Sequence, residues 1–215
     1  MPKKRYACSS KTRKRIYEAA TKLFAENGYQ AVTLSDIAKA ADVSTGTLYR
    51  YFPSKGDFLV YIGRDSVERL EQFAQKLPSD MPVFDAVLAV LLEDIAGTKG
   101  IFFTSIKSDA EGLQFQASDV RLAYSSEIYS SKNHLDFEIE TRRRLVGIYS
   151  SILAEAQKRG ELDAGLDVDI AAQIIVAIFF QELDKGMYNY DYPYEPEFRG
   201  KLRFLLGDSL LVSIA

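Results

Sequence analysis

A short segment of this chain concentrates side chains that can hydrogen-bond to phosphates and to the edges of nucleic-acid bases. Residues 44 to 51 read Ser-Thr-Gly-Thr-Leu-Tyr-Arg-Tyr. Hydroxyls and guanidinium groups donate to phosphate oxygens and base edges, and only Arg50 in this segment can bind a guanine with two hydrogen bonds. Gly46 lets another backbone come close, although inside a helix it costs about 1 kcal/mol relative to alanine. The segment therefore predicts DNA binding.

Catalytic chemistry has little support in the sequence. The chain has a single histidine, His134, and no Cys pair, no His-Glu-x-x-His and no glycine-rich phosphate loop. We interpret the histidine as a surface or packing residue. Asp163, Asp167 and Asp169 could form a metal cluster, but they precede a helix start, where capping explains them better. We expect no enzyme activity, no catalytic residue, no metal site and no cofactor.

Capping chemistry fixes two helix starts, one on each side of the polar segment. Thr33 with Asp36, and Ser54 with Asp57, have the spacing of a capping box. In a capping box a hydroxyl accepts from one orphan backbone N–H, and the acid three residues later accepts from another. We therefore expect helices to begin at these two places.

The helix between these two starts must be short. Ser44 can open it, and Phe52 must leave helical geometry because Pro53 follows, so about two turns are left. Val43 and Leu48 lie roughly on the same side as Phe52 and can dock onto the preceding helix. The pattern predicts a helix-turn-helix whose second helix presents its polar side outward.

The stretch from about Thr12 to Phe58 resembles the DNA-binding domain of the TetR family of transcriptional regulators. The shared pattern is Thr33, Ile37-Ala38, Ala40, Val43-Ser44, Gly46-Thr47-Leu48-Tyr49, Tyr51-Phe52 and Ser54-Lys55. Two positions depart from it: Asp42 stands where a glycine is usual in the turn, and Gly56 stands where an acidic residue is common. Aspartate tolerates left-handed geometry better than most residues, so we expect the turn to form.

The resemblance implies a regulator that binds a palindromic double-stranded DNA operator as a homodimer and lets go when a small molecule enters its body. Matched position by position, it assigns DNA binding to Thr33, Ser35, Ser44, Thr45, Gly46, Thr47, Tyr49, Arg50, Tyr51 and Lys55. Phosphate contacts fall to Thr33, Tyr49, Tyr51 and Lys55, and base-edge contacts to Ser35, Thr45, Gly46, Thr47 and Arg50. For Lys55 there is a second argument, because a cation in the first turn of a helix opposes the macrodipole unless a phosphate lies there.

Two other functions are compatible with the sequence. One is a helical small-molecule-binding or scaffold protein without operator-specific function, and the other is a regulator or activator that works without an effector. Steep salt dependence and sequence-selective DNA binding would exclude the first.

Charge is unevenly distributed along the chain. The net charge is -3, whereas residues 1 to 60 hold eleven basic and five acidic side chains. A basic head is steered toward a polyanion, unless both parts are ordinary solvated surfaces. The basic residues 3–5 and 11–15 read as a flexible arm that lies along phosphates or reaches a minor groove, and for the first ten residues the alternative is a disordered tail.

The sequence predicts a cytoplasmic protein. Cys8 is the only cysteine, so no intrachain disulfide can form. The basic N-terminus is not followed by an apolar stretch of the kind found in signal peptides. The most apolar segment, residues 170 to 180, has about half the length needed to cross a bilayer, so no membrane span is expected.

Helical periodicity runs through nearly the whole chain, and no segment alternates convincingly as a strand. We expect an all-α protein of about nine helices. Its parts would be an arm with a three-helix helix-turn-helix domain (1–53), a connecting helix (54–76) and a helical effector-binding and dimerisation domain (77–215). Helices are predicted at about 12–27, 54–76, 83–96, 100–107, 118–130, 135–159, 169–188 and 197–212, besides the two of the helix-turn-helix, with loops at 109–116 and 188–196.

The last two predicted helices have too many apolar residues for one buried face. Residues 170 to 180 read Ile-Ala-Ala-Gln-Ile-Ile-Val-Ala-Ile-Phe-Phe, and a surface helix of a monomer is not apolar almost all round. We predict a four-helix interface between two copies of the chain, unless one subunit buries both faces in its own core. The expected interface residues are Ile174, Ile178, Phe198, Leu202 and Leu205.

Residues of the middle helices are predicted to hold a small apolar or aromatic effector. They are aromatic or aliphatic, and the alternative is that they are simply core: Phe102, Phe103, Ile106, Tyr124, Ile128 and Phe180. The charged run of Glu138 and Glu140 with residues 142 to 144 reads as a solvated face.

Overall fold

The computed structural model describes residues 3–108, 112–117, 119–186 and 189–207; within these ranges the side chains of residues 3–10, 100–119, 121 and 122 are not described. The helices in this part of the chain are α1 (Lys3–Asn27), α2 (Leu34–Ala40), α3 (Thr45–Tyr51), α4 (Gly56–Ala74), α5 (Val83–Phe102), α6 (Asp119–Ile128), α7 (Lys132–Lys158), α8 (Val168–Lys185) and α9 (Tyr194–Leu206). The all-α fold class and the expected number of helices are confirmed. The backbone is already helical at Lys3, where the sequence suggested an arm.

A β-hairpin interrupts the series of helices. Strand β1 (Phe103–Ser108) pairs antiparallel with β2 (Gly112–Ala117). The predicted helix over residues 100–107 is therefore wrong from Phe103 onward, and the predicted loop over 109–116 is wrong for residues 112–116; residues 109–111 lie outside the described part. The overlooked signal is the Leu-Gln-Phe-Gln-Ala run of residues 113–117, whose apolar and polar residues alternate as in a strand.

The chain groups into two compact units. The first contains residues 1–62 and 100–136, and the second contains residues 63–99 and 137–215. Helices α4 and α5 therefore contribute residues to both units. This grouping differs from the predicted division at residues 53 and 76, because residues 100–136 join the N-terminal helices. No helix in the described part of the chain is long and apolar enough to cross a membrane.

The core of the second unit is built from one face each of α5, α7, α8 and α9, with the end of α4. Leu91, Leu153, Phe198 and Leu202 are completely buried in it. The predicted roles of Phe198 and Leu202 in a dimer interface must be revised, because their side chains have no surface left for a second copy. For these two residues, the alternative that one subunit buries its own apolar faces is correct.

The predicted solvated face on α7 is only partly solvated. Glu138 is 5% exposed, and Arg142 Nε donates to its Oε1 over 2.7 Å. The guanidinium carbon of Arg142 also lies 4.1 Å from the centroid of the Phe180 ring. Glu140 and Arg143 are exposed, as expected. The sequence cannot show that Glu138 points inward, because an acid and a base four residues apart also pair on exposed helices.

The capping interpretation is confirmed for Asp167, whereas Asp163 accepts from a loop N–H and Asp169 accepts from the Ser150 hydroxyl. Asp167 Oδ1 accepts from the backbone N–H groups of Asp169 and Ile170 over 3.1 and 3.0 Å. Asp163 accepts from the N–H of Gly165 over 2.7 Å. Among the described residues, no group of three or more His, Cys, Asp or Glu side chains is arranged to hold a metal ion.

Candidate nucleic-acid interface

Capping begins α2 and α4 as their sequences predicted. Thr33 Oγ1 accepts from the N–H of Asp36 over 3.2 Å, and the Asp36 carboxylate accepts from the hydroxyl and N–H of Thr33 over 2.6 and 3.0 Å. These hydrogen bonds hold the pKa of Asp36 below its ordinary value. Ser54 and Asp57 make the same three contacts before α4. Both boundaries of the helix-turn-helix are thus set by side chains three residues apart.

The turn between α2 and α3 depends on a left-handed residue. Asp42 has φ 50°, as its place in the pattern predicted. Val43 N–H donates to Ala38 O over 3.0 Å, and a guanidinium nitrogen of Arg15 lies 3.4 Å from Asp42 O. Aspartate replaces the usual glycine here at a modest conformational cost.

Helix α3 is anchored by its apolar side. Ser44 Oγ accepts from the N–H of Thr47 over 3.2 Å and caps the start of the helix. Leu48 and Phe52 are buried, and the Phe52 ring stacks on Phe58 with 4.0 Å between centroids. Phe52 leaves the helix at φ −137°, as Pro53 requires. The helix is therefore a short rod held from one side.

The opposite side of α3 and the start of α2 are open to solvent. The exposed predicted contacts are Thr33, Ser35, Ser44, Thr45, Gly46, Tyr49 and Arg50, and the half-buried ones are Thr47 and Tyr51. A Cβ atom placed on Gly46 would meet nothing within 4 Å. Packing within the protein therefore does not require a glycine at this position.

Lys55 has a structural task that the sequence did not reveal. Its Nζ donates to the backbone carbonyls of Tyr29, Gln30 and Val32 over 2.8, 3.4 and 3.2 Å. It also lies 4.3 Å from the centroid of the Tyr29 ring. These carbonyls stabilise the cation near the start of α4 without a phosphate. The unfavourable interaction of Lys55 with the helix dipole is therefore no evidence for a phosphate there.

The second departure from the family pattern, Gly56, lies against the flexible end of a side chain of α6. A Cβ atom at Gly56 would collide with the carboxylate of Glu127. The single histidine packs at the same place: His134 Nδ1 lies 3.0 Å from Glu127 O, and its Nε2 lies 3.7 Å from Asp57 Oδ1. Glu127 of α6 thus lies beside the start of α4, where the family pattern usually has an acidic residue of its own. Its negative charge interacts favourably with the positive end of the α4 dipole.

A groove of about 630 Å³ opens on the second unit. Apolar, polar and charged side chains line it: Glu71, Ala74, Gln75, Leu77, Pro78, Ser79, Met81, Ala86, Arg143, Arg144, Gly147, Ile148, Ser151, Ile152, Glu155 and Arg159. Arg159 fixes the loop before α5, because it donates to the carbonyls of Ser79 and Met81 over 3.0 and 3.2 Å. The groove falls in the size range of small-molecule sites.

Of the residues predicted to bind an effector, those with described side chains do not line this groove. Tyr124 and Ile128 are buried in the first unit, and Phe180 is half-buried beneath Arg142 in the second. The side chains of Phe102, Phe103 and Ile106 lie outside the described residues. Helical periodicity missed the groove because the loop of residues 75–82 forms part of it.

Large apolar side chains are exposed on α8 and α9. Ile170 and Ile174 on α8 are 55% and 41% exposed, and Phe204 on α9 is 93% exposed. Ile178 and Leu205 are half-buried against the core of the unit. The sequence identified α8 and α9 as apolar but missed Ile170 and Phe204, the most exposed of these side chains.

The fold and this site define a helix-turn-helix protein of the DNA-binding regulator class. A sequence model of the family described as "Bacterial regulatory proteins, tetR family" matches residues 16–62. The Fatty acid metabolism regulator protein of Bacillus subtilis is 31% identical over 163 residues, 74% of this chain and 75% of that protein. The transcriptional repressor BepR of Brucella suis is 29% identical over 187 residues, 85% of each chain.

Solved structures share this fold. Salmonella enterica GusR has a TM-score of 0.61 and 25% identity, over 91% of this chain and 95% of that one. The regulator FadR from Bacillus subtilis, solved with stearoyl-CoA, has a TM-score of 0.62 and 24% identity, over 89% and 96%. The chain belongs to the TetR family of DNA-binding transcriptional regulators.

Proposed function

We propose that two copies of this chain bind a palindromic operator and that a long-chain acyl-CoA releases them. The observation that carries the DNA-binding part is the outer face of α3, which is polar, exposed and held from behind by Leu48 and Phe52. Thr33, Tyr49 and Tyr51 would contact phosphates, and Ser35, Thr45, Gly46, Thr47 and Arg50 would face base edges, with Ser44 at the start of the helix. Lys55 is not included among the proposed DNA contacts, because its Nζ donates to three backbone carbonyls.

Dimerisation gives this face its function. Two α3 helices can enter successive major grooves on one side of the duplex when they lie about 34 to 36 Å apart. The proposed interface comprises Ile174, Ile178 and Leu205, and we add Ile170 and Phe204 because their side chains are exposed. Apolar side chains this exposed on neighbouring helices favour burial against a second copy.

Replacing Gly46 tests whether DNA approaches this helix closely. Gly46→Ala should raise the free energy of unfolding by about 1 kcal/mol, since alanine is the better helix former and the space is open. It should weaken operator binding by roughly tenfold, because the new methyl group stands where a DNA backbone would lie. Urea unfolding and fluorescence anisotropy measure the two effects.

Gly147→Ala is the matched control. Gly147 is also exposed within a helix, and a Cβ atom there would also meet nothing within 4 Å. This variant should gain similar stability and bind DNA like the wild type. Unchanged operator binding by Gly46→Ala would contradict a close approach of DNA.

The proposed effector class comes from two comparisons. One relative is named for fatty acid metabolism, and one similar fold was solved with stearoyl-CoA. The groove of the second unit has apolar lining residues that suit an acyl chain, and its three arginines are each paired with a glutamate. The groove therefore replaces the effector site predicted from the sequence, because no described side chain of that set lines it: Phe102, Phe103, Ile106, Tyr124, Ile128 and Phe180.

The test is operator binding with and without stearoyl-CoA. Protein is titrated against DNA from around its own coding region, and the expected result is selective binding that stearoyl-CoA weakens while free CoA does not. Effector and operator can compete only through different affinities for two arrangements of the protein. Gly147→Leu, which would fill the groove, should abolish the response without changing DNA binding. Operator affinity that no acyl-CoA alters would contradict the proposed effector, and absence of selective binding would favour the scaffold alternative.

A further inference from the structure

Two arginines share one aromatic ring at the edge of the helix-turn-helix. The guanidinium carbon of Arg50, on α3, lies 5.3 Å from the centroid of the Tyr51 ring. The guanidinium carbon of Arg13, on α1, lies 5.7 Å from the same centroid. Both distances fall within the range of cation–π contacts. Arg13 does not belong to the family pattern quoted above.

Among the described residues, no carboxylate neutralises either guanidinium. In the described part of the chain, no carboxylate lies within ion-pair distance of Arg13 or Arg50. Other cations of α1 differ: Lys14 pairs with Glu18 at 3.8 Å, and Lys22 pairs with Glu26 at 3.9 Å. Two unpaired positive charges beside one ring therefore form a site with a specific demand for an anion.

The ring fixes these charges in place. Tyr51 is half-buried and directly precedes the buried Phe52, whose stacking on Phe58 restrains the backbone. A guanidinium lying over an aromatic face loses part of its rotational freedom before a partner arrives. A planar group fixed in this way is suited to bidentate binding of a phosphate or a guanine edge.

We propose that Arg13 binds the operator's sugar-phosphate backbone and that the Tyr51 ring positions both arginines for DNA. This proposal rests on the proposed function, and it adds a DNA-binding residue on α1. It also changes the part assigned to Tyr51: the ring, rather than the hydroxyl, matters most, and Arg50 depends on it to read its base pair.

The first experiment compares Arg13→Gln with Lys14→Gln. Loss of a phosphate contact should weaken all operator variants about equally and reduce the slope of log affinity against log salt by about 0.9. Lys14→Gln removes the same charge one residue away, from an exposed side chain, and should leave the slope nearly unchanged. Equal slopes for wild type and Arg13→Gln would overturn the role of Arg13.

The second experiment separates the ring of Tyr51 from its hydroxyl. Tyr51→Phe keeps the ring and should bind the operator within about twofold of the wild type, whereas Tyr51→Leu should lose roughly fivefold or more. Tyr51→Leu should also discriminate poorly at the base pair that Arg50→Ala affects, and the double variant should be no worse than Arg50→Ala at that position. Weak binding by Tyr51→Phe would show that the hydroxyl is the contact and overturn the positioning role.

Circular dichroism of every variant checks that α1 and α3 remain folded. Failure of this inference differs from failure of the proposed function. If the wild-type protein binds its operator selectively and only these variants behave against expectation, Arg13 and the ring are misassigned. If the wild-type protein shows no selective binding, the proposed function itself fails.

Discussion

Ile174→Asp is expected to leave the protein monomeric and to weaken its binding to a palindromic operator by about 100-fold or more. Ile174 is 41% exposed on α8, on the surface proposed to meet a second copy. An aspartate there would bring two carboxylates into an apolar contact, one from each copy, and a buried unpaired charge is costly. A monomer binds one half-site at a time, so it loses the gain of having both reading helices linked.

Sedimentation velocity measures the oligomeric state of Ile174→Asp, and titration with whole operator and with a single half-site measures DNA binding. Affinity for the single half-site should change little. Ile139→Asp is the matched control, because Ile139 is a 56% exposed isoleucine on α7. It should remain dimeric. If Ile174→Asp also sediments as a dimer, the interface lies on another surface.

Asp94→Asn is expected to raise the free energy of unfolding by roughly 1 to 3 kcal/mol at pH 8 and to change it little near pH 4. Asp94 is buried within the second unit, beside Ser66 and Arg69. Burial raises its pKa to about 6, and the Ser66 hydroxyl and the Arg69 charge only partly oppose this. The folded protein therefore contains a carboxylate whose ionised form is disfavoured.

The sign of the pH dependence follows from this shift. Aspartate in the unfolded chain has a pKa of about 3.9, so between roughly pH 4 and pH 6 the folded state binds the extra proton. The contribution of Asp94 to the free energy of unfolding then falls as the pH rises through this window, and it stays lower above it. Asparagine can still accept the 2.6 Å hydrogen bond from Ser66 but carries no charge to bury. Arg69 keeps its contact with Glu93.

Urea unfolding of wild type and Asp94→Asn at a series of pH values measures this difference. Asp85→Asn is a suitable control, since Asp85 is an exposed aspartate on the same helix, α5. Its effect should be small. A lower stability of Asp94→Asn than of wild type at pH 8 would mean that the charge of Asp94, through Arg69, stabilises the fold.

The sequence by itself determined the DNA-binding head. Both capping boxes join groups three residues apart, the left-handed turn requires only a tolerant residue at Asp42, and Pro53 ends α3 through its own ring. These interactions are local in the chain, so residue type and spacing are enough to predict them. The apolar character of α8 and the capping aspartates before it were readable for the same reason.

Only the tertiary structure decided which side chains are left over for a partner. It buried Phe198, Leu202 and Glu138, while it left Ile170 and Phe204 exposed. It also placed the Lys55 ammonium in hydrogen bonds with backbone carbonyls more than twenty residues earlier in the chain. The sequence could not show these outcomes, because a helix that is apolar on several sides does not specify which side meets its own subunit. That choice depends on how residues distant in the chain pack together, and packing is a property of the whole unit.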